Sequence, residues 1–280
     1  MDSKRSGFTF DDSCIRRKED EYRGSKWLYM ERRIEVLVRK LYVSNIQFVA
    51  HEIMKLHNLI IPGRGLFCQA VMKAQSGSPR SSNLYASLVA IINSRFPDVG
   101  LLLVKRVVLG VNVPQFKDAY DRNDTKRMRY ASTFLAHLVN QTVVYEVLAI
   151  DVLLLLLGDP SPDNIEVAVS FCMECGSSLL DYTPHKLREI FKEFVGLLRK
   201  EGMEKRIRVG VVKLLAVRKS RFKRYPSMID ELDLVEVGDQ VTHEVSLLHD
   251  IDPETSLDDF KPDSEFDHDQ CEMFSRMMIN

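Results

Sequence analysis

Residues 183–198 read TPHKLREIFKEFVGLL, and this stretch decides the fold class. Its apolar side chains recur every three or four residues, at Leu187, Ile190, Phe191, Phe194, Val195 and Leu198. Because an α-helix turns once every 3.6 residues, this spacing places them on one face. Thr183 followed by Pro184 is a typical helix start, since proline is tolerated at the first helical position. The stretch predicts an amphipathic helix with one buried face.

The same helical spacing recurs along most of the chain. It predicts ten segments: stripes within 34–41, 46–53, 66–74 and 84–92, a helix opened by Pro97, residues 130–138 after a cap at Asn123 or Asp124, a helix that Thr142 caps and that runs to Gly158, residues 168–175 after Ser161–Pro162, the stretch above, and residues 203–218. No segment shows the sustained alternation typical of a β-strand. About 40 residues per helix pair is the period of HEAT and armadillo repeats. We therefore expect an all-α, right-handed HEAT-repeat (α-α superhelix) solenoid of about five helix pairs, with a single helix bundle as the alternative.

The distribution of charge divides the chain into three parts. Residues 1–24 are polar and aperiodic, which predicts a flexible charged leader, and residues 25–226 form the helical-repeat domain. Residues 227–280 are predicted to form an acidic, partly extended tail. Residues 228–280 hold 16 acidic and 2 basic residues, and the remainder holds 37 basic and 24 acidic ones. A body of net charge +13 with a tail of −14 could meet RNA or an acidic protein surface, or the tail could fold back on the body.

Membrane insertion and export are not expected. The longest apolar run, residues 152–157, is far too short to span a bilayer and lies between Asp151 and Asp159. The first residues lack the apolar stretch of a signal peptide. We therefore expect the five cysteines to stay reduced.

Residues with catalytic or metal-binding potential do not form a recognisable site. Cys172 and Cys175 form a CxxC motif, but zinc needs four ligands and no second pair lies nearby. The glycine-rich turn at residues 62–65 lacks the lysine of a phosphate-binding loop. His137 has no nucleophile at a recognisable spacing, so a structural role is expected. We expect no catalytic residue, no metal and no cofactor, and hence a protein that is not an enzyme.

A basic stretch at residues 205–224 offers an alternative function, as a direct RNA-binding helical-repeat protein. Phe222 and Tyr225 interleave with its end, which suits stacking on bases as well as binding of phosphates. The same residues also suit a solvated helix face that the acidic tail covers. The candidate RNA contacts are Lys205, Arg206, Arg208, Arg218, Lys219, Arg221, Lys223 and Arg224.

Nine short strings in order give the sequence a family resemblance. They are PGRGLFC (62–68), VMKAQS (71–76), YASLVAIINSRFP (85–97), YDRND (120–124), FLAHLVNQ (134–141), ECG (174–176), AVRK (216–219), LDLVE (232–236) and DQVTH (239–243). Together they resemble the nucampholin family of pre-mRNA-splicing factors (complexed-with-Cef1 type), whose corresponding domain is similar to the middle domain of translation initiation factor 4G. Several strings in sequence are more specific than any one motif.

The resemblance implies a function and a set of partners. It implies a spliceosome-associated scaffold that binds the DEAD-box helicase of the exon junction complex across its two RecA-like domains. By holding these domains apart, the scaffold would keep the helicase open and inactive. It would deliver the helicase for mRNA splicing and exon junction complex assembly. We accordingly expect a nuclear protein with spliceosomal protein partners, and a monomer outside its complex.

The resemblance also implies which residues contact the helicase. The family's polar pair in the turn before the sixth helix matches Asn123 and Asp124, with Tyr120 and Arg122 beside it. Arg64, at the start of the third helix, is a further candidate contact. A helix cap is the alternative role for Asn123 or Asp124, and both roles are compatible because two adjacent residues are present. Larger family members continue into a second helical domain of the MA-3 type, so this chain is expected to be a reduced homologue or a fragment.

Overall fold

The computed structural model describes residues 12–56, 61, 63–109, 116–247 and 251–259, with side chains from residue 24 onward. Within these ranges the chain forms eleven α-helices. They are α1 (Asp12–Arg39), α2 (Ile46–Met54), α3 (Arg64–Gly77), α4 (Ser82–Asn93), α5 (Pro97–Leu109), α6 (Phe116–Asp121), α7 (Thr125–Asn140), α8 (Glu146–Gly158), α9 (Pro162–Tyr182), α10 (Pro184–Leu198) and α11 (Lys205–Lys219).

The helices pack as five consecutive pairs in two layers. The pairs are α1 with α2, α3 with α4, α5 with α7, α8 with α9, and α10 with α11. The second helices of the pairs contact one another in chain order and form one layer, whereas α1–α3–α5 and α8–α10 form the other. This arrangement of stacked pairs confirms the predicted all-α helical-repeat fold.

The short helix α6 was not predicted from the sequence. It has only six residues, packs against both α5 and α7, and buries Phe116 and Ala119. Six residues are too few to show a repeated apolar spacing, so the pattern gives no signal for it. Its insertion into the third pair positions the polar turn that follows it.

The boundary predicted at residue 24 is not a structural boundary. Helix α1 begins at Asp12, so the predicted flexible leader is wrong for residues 12–24. This part of α1 contains Arg16, Arg17, Lys18, Glu19 and Glu21, all of which favour helix. It therefore continues the helix in spite of lacking an apolar stripe.

The predicted helix cap at Thr142 is also wrong, since Tyr145 is the residue that precedes the helix. Thr142 has a φ of 54° and its amide donates to the carbonyl of Val139 at 2.9 Å, which places it in a turn. Val143 and Val144 follow as buried residues, and α8 begins only at Glu146. A threonine between two apolar stretches can therefore lie in a turn as well as cap a helix.

In its described residues, 227–247 and 251–259, the acidic segment packs back along the helices through three short 3₁₀ turns and an isolated β-bridge between Val144 and His243. Leu232 is buried, and its carbonyl accepts hydrogen bonds from Ser87 Oγ of α4 and Gln141 Nε2 at the end of α7. His243 N donates to the Val143 carbonyl at 2.9 Å, and Tyr145 N donates to the His243 carbonyl at 3.1 Å. The segment thus returns from the last pair towards the middle of the stack.

Among the described helices, none is both long enough and apolar enough to cross a membrane.

Candidate protein-binding surface

The turn between α6 and α7 presents polar side chains on a rigid backbone. Asn123 is exposed and has a φ of 55°, a left-handed conformation that asparagine tolerates better than most residues. The amide of Asp124 donates to the Ala119 carbonyl at 2.8 Å and thereby closes the turn. These features direct Asn123 outwards and hold its position relative to the two helices.

Asp124 has the capping role that was the alternative to partner binding. Its Oδ1 accepts the amide of Arg127 at 3.1 Å, and its Oδ2 lies 3.2 Å from Arg127 Nε. A carboxylate at a helix start also interacts favourably with the helix dipole. The side chain is half-exposed, so the cap does not remove it from solvent.

Tyr120 and Arg122 flank the turn in different environments. Arg122 is exposed, and its Nε forms an ion pair with Asp118 Oδ1 at 2.9 Å. Tyr120 is half-buried and stacks on Phe116, with ring centroids 6.4 Å apart. Burial, with the nearby carboxylates of Asp159 and Asp121, raises the pKa of Tyr120, so the phenol stays neutral. The turn therefore offers a neutral phenol, an amide and a carboxylate together.

Arg64 does not belong to this turn. Its Nη1 donates to the Ile61 carbonyl at 2.9 Å, and its Nη2 pairs with Glu254 Oε2 of the acidic tail at 3.3 Å. Lys105 Nζ lies 2.9 Å from the other oxygen of Glu254. The described contacts of Arg64 and those of the Asn123 turn share no residue. The structure places Arg64 in a tail-binding cluster, and the sequence alone gave no sign of that pairing.

Arg106 is the centre of this tail-binding cluster and was missed by the sequence analysis. Its guanidinium is 1% exposed and pairs with Asp258 Oδ1 at 2.6 Å. It also donates to three carbonyls, those of Pro253 (3.0 Å), Glu254 (2.9 Å) and Gly65 (3.2 Å). The available signal was a basic pair, Lys105–Arg106, within an apolar run of α5 that extends from Val99 to Leu109. A buried arginine needs partners of this kind because its charge cannot be left unpaired.

The close approach of the tail also explains why position 65 is a glycine. A Cβ added there would lie 2.3 Å from the carbonyl oxygen of Leu257. The tail backbone thus lies directly against the start of α3, at the PGRG motif of residues 62–65. The glycine serves close packing of the tail.

The basic stretch at residues 205–224 is partly engaged within the protein. Arg206 pairs with Glu166, Arg208 donates to the Leu198 carbonyl at 3.1 Å, and Arg218 lies over the Phe191 ring at 4.2 Å. The lysines Lys205, Lys219 and Lys223 are exposed, as are Arg221 and Arg224. In the described part of the tail, the ion pairs go to α3 and α5 and not to this stretch.

Phe222 is not available for stacking on bases. Its side chain is buried, and its ring packs where a Cβ on Gly176 would lie, 2.3 Å from Cε1. Tyr225 is half-buried. Base stacking requires an exposed aromatic face, so the feature that favoured RNA recognition here is absent at Phe222.

The two cysteines of the CxxC motif lie in the core, and His137 is partly buried. Cys172 and Cys175 are buried, and burial raises the pKa of the Cys172 thiol to about 12 and that of Cys175 as well. Such thiols pack as small apolar groups. Burial lowers the pKa of His137 to about 4, so its imidazole is neutral at physiological pH. Within the described ranges, no group of three or more potential ligands is arranged to hold a metal ion.

Comparison with known proteins supplies the family. Residues 31–221 match the MIF4G domain. The chain is 40% identical over 245 residues to the Pre-mRNA-splicing factor CWC22 homologs of Mus musculus and Homo sapiens, which covers 88% of this chain and 26% of each relative. It is 35% identical over 259 residues to the Caenorhabditis elegans homolog (91% and 28%), and 39% identical over 247 residues to Pre-mRNA-splicing factor cwc22 of Aspergillus fumigatus (88% and 27%).

The chain spans about a quarter of the length of these relatives. The matched segment includes all of α2–α11 and most of the packed part of α1. The resemblance to nucampholin-type splicing factors that the nine strings carry is thereby confirmed. Through this match and the stacked helix pairs described above, the chain belongs to the MIF4G domain family.

Proposed function

We propose that this chain is a spliceosome-associated scaffold that binds the DEAD-box helicase of the exon junction complex. In this proposal it holds the helicase in an open, inactive state and delivers it for mRNA splicing and exon junction complex assembly. It acts in the nucleus beside other spliceosomal proteins and performs no catalysis itself. The observation that carries the proposal is the 40% identity to CWC22 splicing factors over 88% of the chain.

The α6–α7 turn supports the proposal as a contact site. It combines an exposed amide at Asn123 with a half-exposed carboxylate at Asp124. The turn joins two helices, and the hydrogen bond from the Asp124 amide to the Ala119 carbonyl closes it. Groups of this kind form hydrogen bonds and ion pairs with arginines and backbone amides of a partner. A rigid turn loses little conformational entropy on binding, which favours affinity. We assign Asn123, Asp124, Tyr120 and Arg122 to the contact and leave out Arg64, which the tail engages.

The structure allows the contact to be tested without disturbing the fold. Asn123→Gly removes the amide but suits the left-handed backbone, and Asp124→Ser removes the charge but retains a capping oxygen. The double variant should therefore keep the thermal midpoint of the wild type. Thr142→Gly, at another left-handed position, serves as the matched control.

The measurement uses the purified exon-junction DEAD-box helicase. Isothermal titration calorimetry should show binding to the wild type and to Thr142→Gly, and a Kd raised about tenfold or more for the double variant. The wild type should also suppress RNA-stimulated ATP hydrolysis by the helicase. Equal binding by all three proteins would remove the turn from the proposal, and no binding by the wild type would contradict the helicase assignment.

A further inference from the structure

Helix α11 has a second apolar face that no described segment covers. Its buried face is formed by Ile207, Val211 and Leu214 and packs on α9 and α10. On the opposite side, Val209, Val212 and Ala216 recur at intervals of three and four residues and therefore form a single stripe. Val209 is 59% exposed and Val212 is 52% exposed. A helix that is apolar on both sides is typical of one packed on both sides.

The position of α11 makes this stripe unusual. It is the second helix of the last described pair, and the terminal repeat of a solenoid normally turns a polar face to solvent. The described tail leaves α11 through the buried Phe222 and continues to α4, the α7–α8 turn and α5. The outer face of α11 is therefore open in the described part of the chain.

Lysines surround the stripe. Lys205 precedes Val209 by one helical turn, Lys213 follows it by one turn, and Lys219 lies one turn beyond Ala216. All three are exposed, and none of them has an ion pair among the described residues. Arg206 is different, because Glu166 engages it. The face thus combines an apolar centre with a positively charged margin.

We propose that the outer face of α11 docks an amphipathic helix of a partner protein that carries acidic residues beside its own apolar stripe. The apolar centre excludes water from the contact, and the lysines select acidic flanks. A second copy of this chain is disfavoured, because it would bring the same lysines together. RNA is disfavoured because the stripe is aliphatic and offers no aromatic face for base stacking. This site is separate from the α6–α7 turn.

The test uses the full chain and a synthetic helical probe of about 18 residues, with leucines at helical spacing and glutamates beside them. A matched probe carries lysines in place of the glutamates. The variant protein is Val209→Ser/Val212→Ser, which removes the apolar stripe without adding charge. Leu154→Ser is the control, since Leu154 on α8 is 52% exposed, as Val212 is. Neither change should lower the thermal midpoint, because the side chains are at the surface.

Fluorescence anisotropy should show binding of the acidic probe by the wild type and by Leu154→Ser, with about a tenfold or larger loss in the Val209→Ser/Val212→Ser variant. The lysine probe should bind far more weakly. The proposal is overturned if the two probes bind alike, if the double variant binds as the wild type does, or if oligouridine displaces the acidic probe. A concentration-dependent dimer that the double variant loses, seen by light scattering, would overturn it in favour of a second copy. Helicase binding should be unaffected by the double variant, which separates this proposal from that of the α6–α7 turn.

Discussion

Gly176 illustrates how one residue couples the repeat domain to the start of the tail. The ring of Phe222 occupies the space where a Cβ at position 176 would lie, 2.3 Å from the nearest ring carbon. Phe222 itself has a φ of 57°, so its backbone is held in a conformation that phenylalanine rarely adopts. The ring contact must offset that strain, and it depends on the absence of a side chain at Gly176.

We predict that Gly176→Ala destabilises the protein by about 1–3 kcal/mol, because a ring in a packed core cannot shift freely. Gly196→Ala is the control, since a Cβ added there meets nothing within 4 Å. That change should stabilise the protein by about 0.5–1 kcal/mol, since alanine favours helix over glycine. Urea unfolding of both variants measures the difference. Equal effects of the two substitutions would show that Phe222 is not held against Gly176.

His137 is expected to make stability depend on pH. Burial lowers its pKa to about 4, whereas an unfolded histidine titrates near 6.5. As the pH falls below that value, the unfolded state binds the proton first, so stability is complete above pH 6.5 and falls towards pH 4. The nearest acid is Glu174, whose Oε2 lies 3.6 Å from Nε2. That distance is too long for a hydrogen bond and does not offset the burial.

Replacing His137 should therefore reduce the fall in the free energy of unfolding at acid pH. The loss attributable to this residue amounts to about 3 kcal/mol at pH 4, from about 1.4 kcal/mol per pKa unit. His137→Gln keeps a polar group but cannot titrate, so its free energy of unfolding should fall less between pH 7 and pH 4 than that of the wild type. Denaturant titrations across that range provide the measurement. Parallel profiles would mean that the pKa of His137 is the same in the folded and the unfolded protein.

At the level of elements, two similar sequence signals, each a hydroxyl residue followed by proline, have different structural roles. Ser161–Pro162 and Thr183–Pro184 both precede helices that begin at the proline. Ser161 Oγ accepts the amide of Asn164 at 3.1 Å and so caps α9. Thr183 Oγ1 instead donates to the Leu179 carbonyl of the preceding helix at 3.4 Å and makes no cap bond to α10.

Ser161→Ala should accordingly cost about 1 kcal/mol, the usual value for a lost cap. Thr183→Ala should cost less, because the bond it removes is long and the first amides of α10 lose no partner. Thermal unfolding of the two variants beside the wild type gives the comparison. An equal or larger cost for Thr183→Ala would contradict the assignment of these hydrogen bonds.

The elements also show how far local sequence determines this structure. The starts at Pro97, Pro162 and Pro184 were predicted, because proline restricts the chain there whatever surrounds it. Thr142 failed because a single threonine is equally suited to a cap and to a turn. At the candidate site, the cap at Asp124 was predictable, because a short oxygen-bearing side chain before a helix favours capping. The pairing of Arg64 with Glu254 was not, since 190 residues separate them in the chain.

On the scale of the whole molecule, the charge imbalance between body and tail has a specific structural use. Composition alone left open whether the tail would meet the body. In the structure, Glu254 and Asp258 reach Arg64, Lys105 and Arg106, and Asn93 Nδ2 donates to the Val241 carbonyl on the way. The acidic segment therefore connects the last helix pair to the second and third. Detaching the tail from the repeats should therefore lower the stability of the whole stack.

The pair formed by Arg106 and Asp258 provides the sharpest test of that connection, because both side chains are less than 10% exposed. Asp258→Ala would leave a buried guanidinium without its carboxylate, and we predict a loss of about 3–5 kcal/mol. Arg106→Met fills similar volume without charge, so Asp258→Ala should cost much less in that background, with a coupling energy of about 1–3 kcal/mol. A double-mutant cycle by urea unfolding measures this coupling. Additive effects would mean that the tail does not rest on Arg106 in solution, since the cost of losing one partner of a buried ion pair depends on the presence of the other.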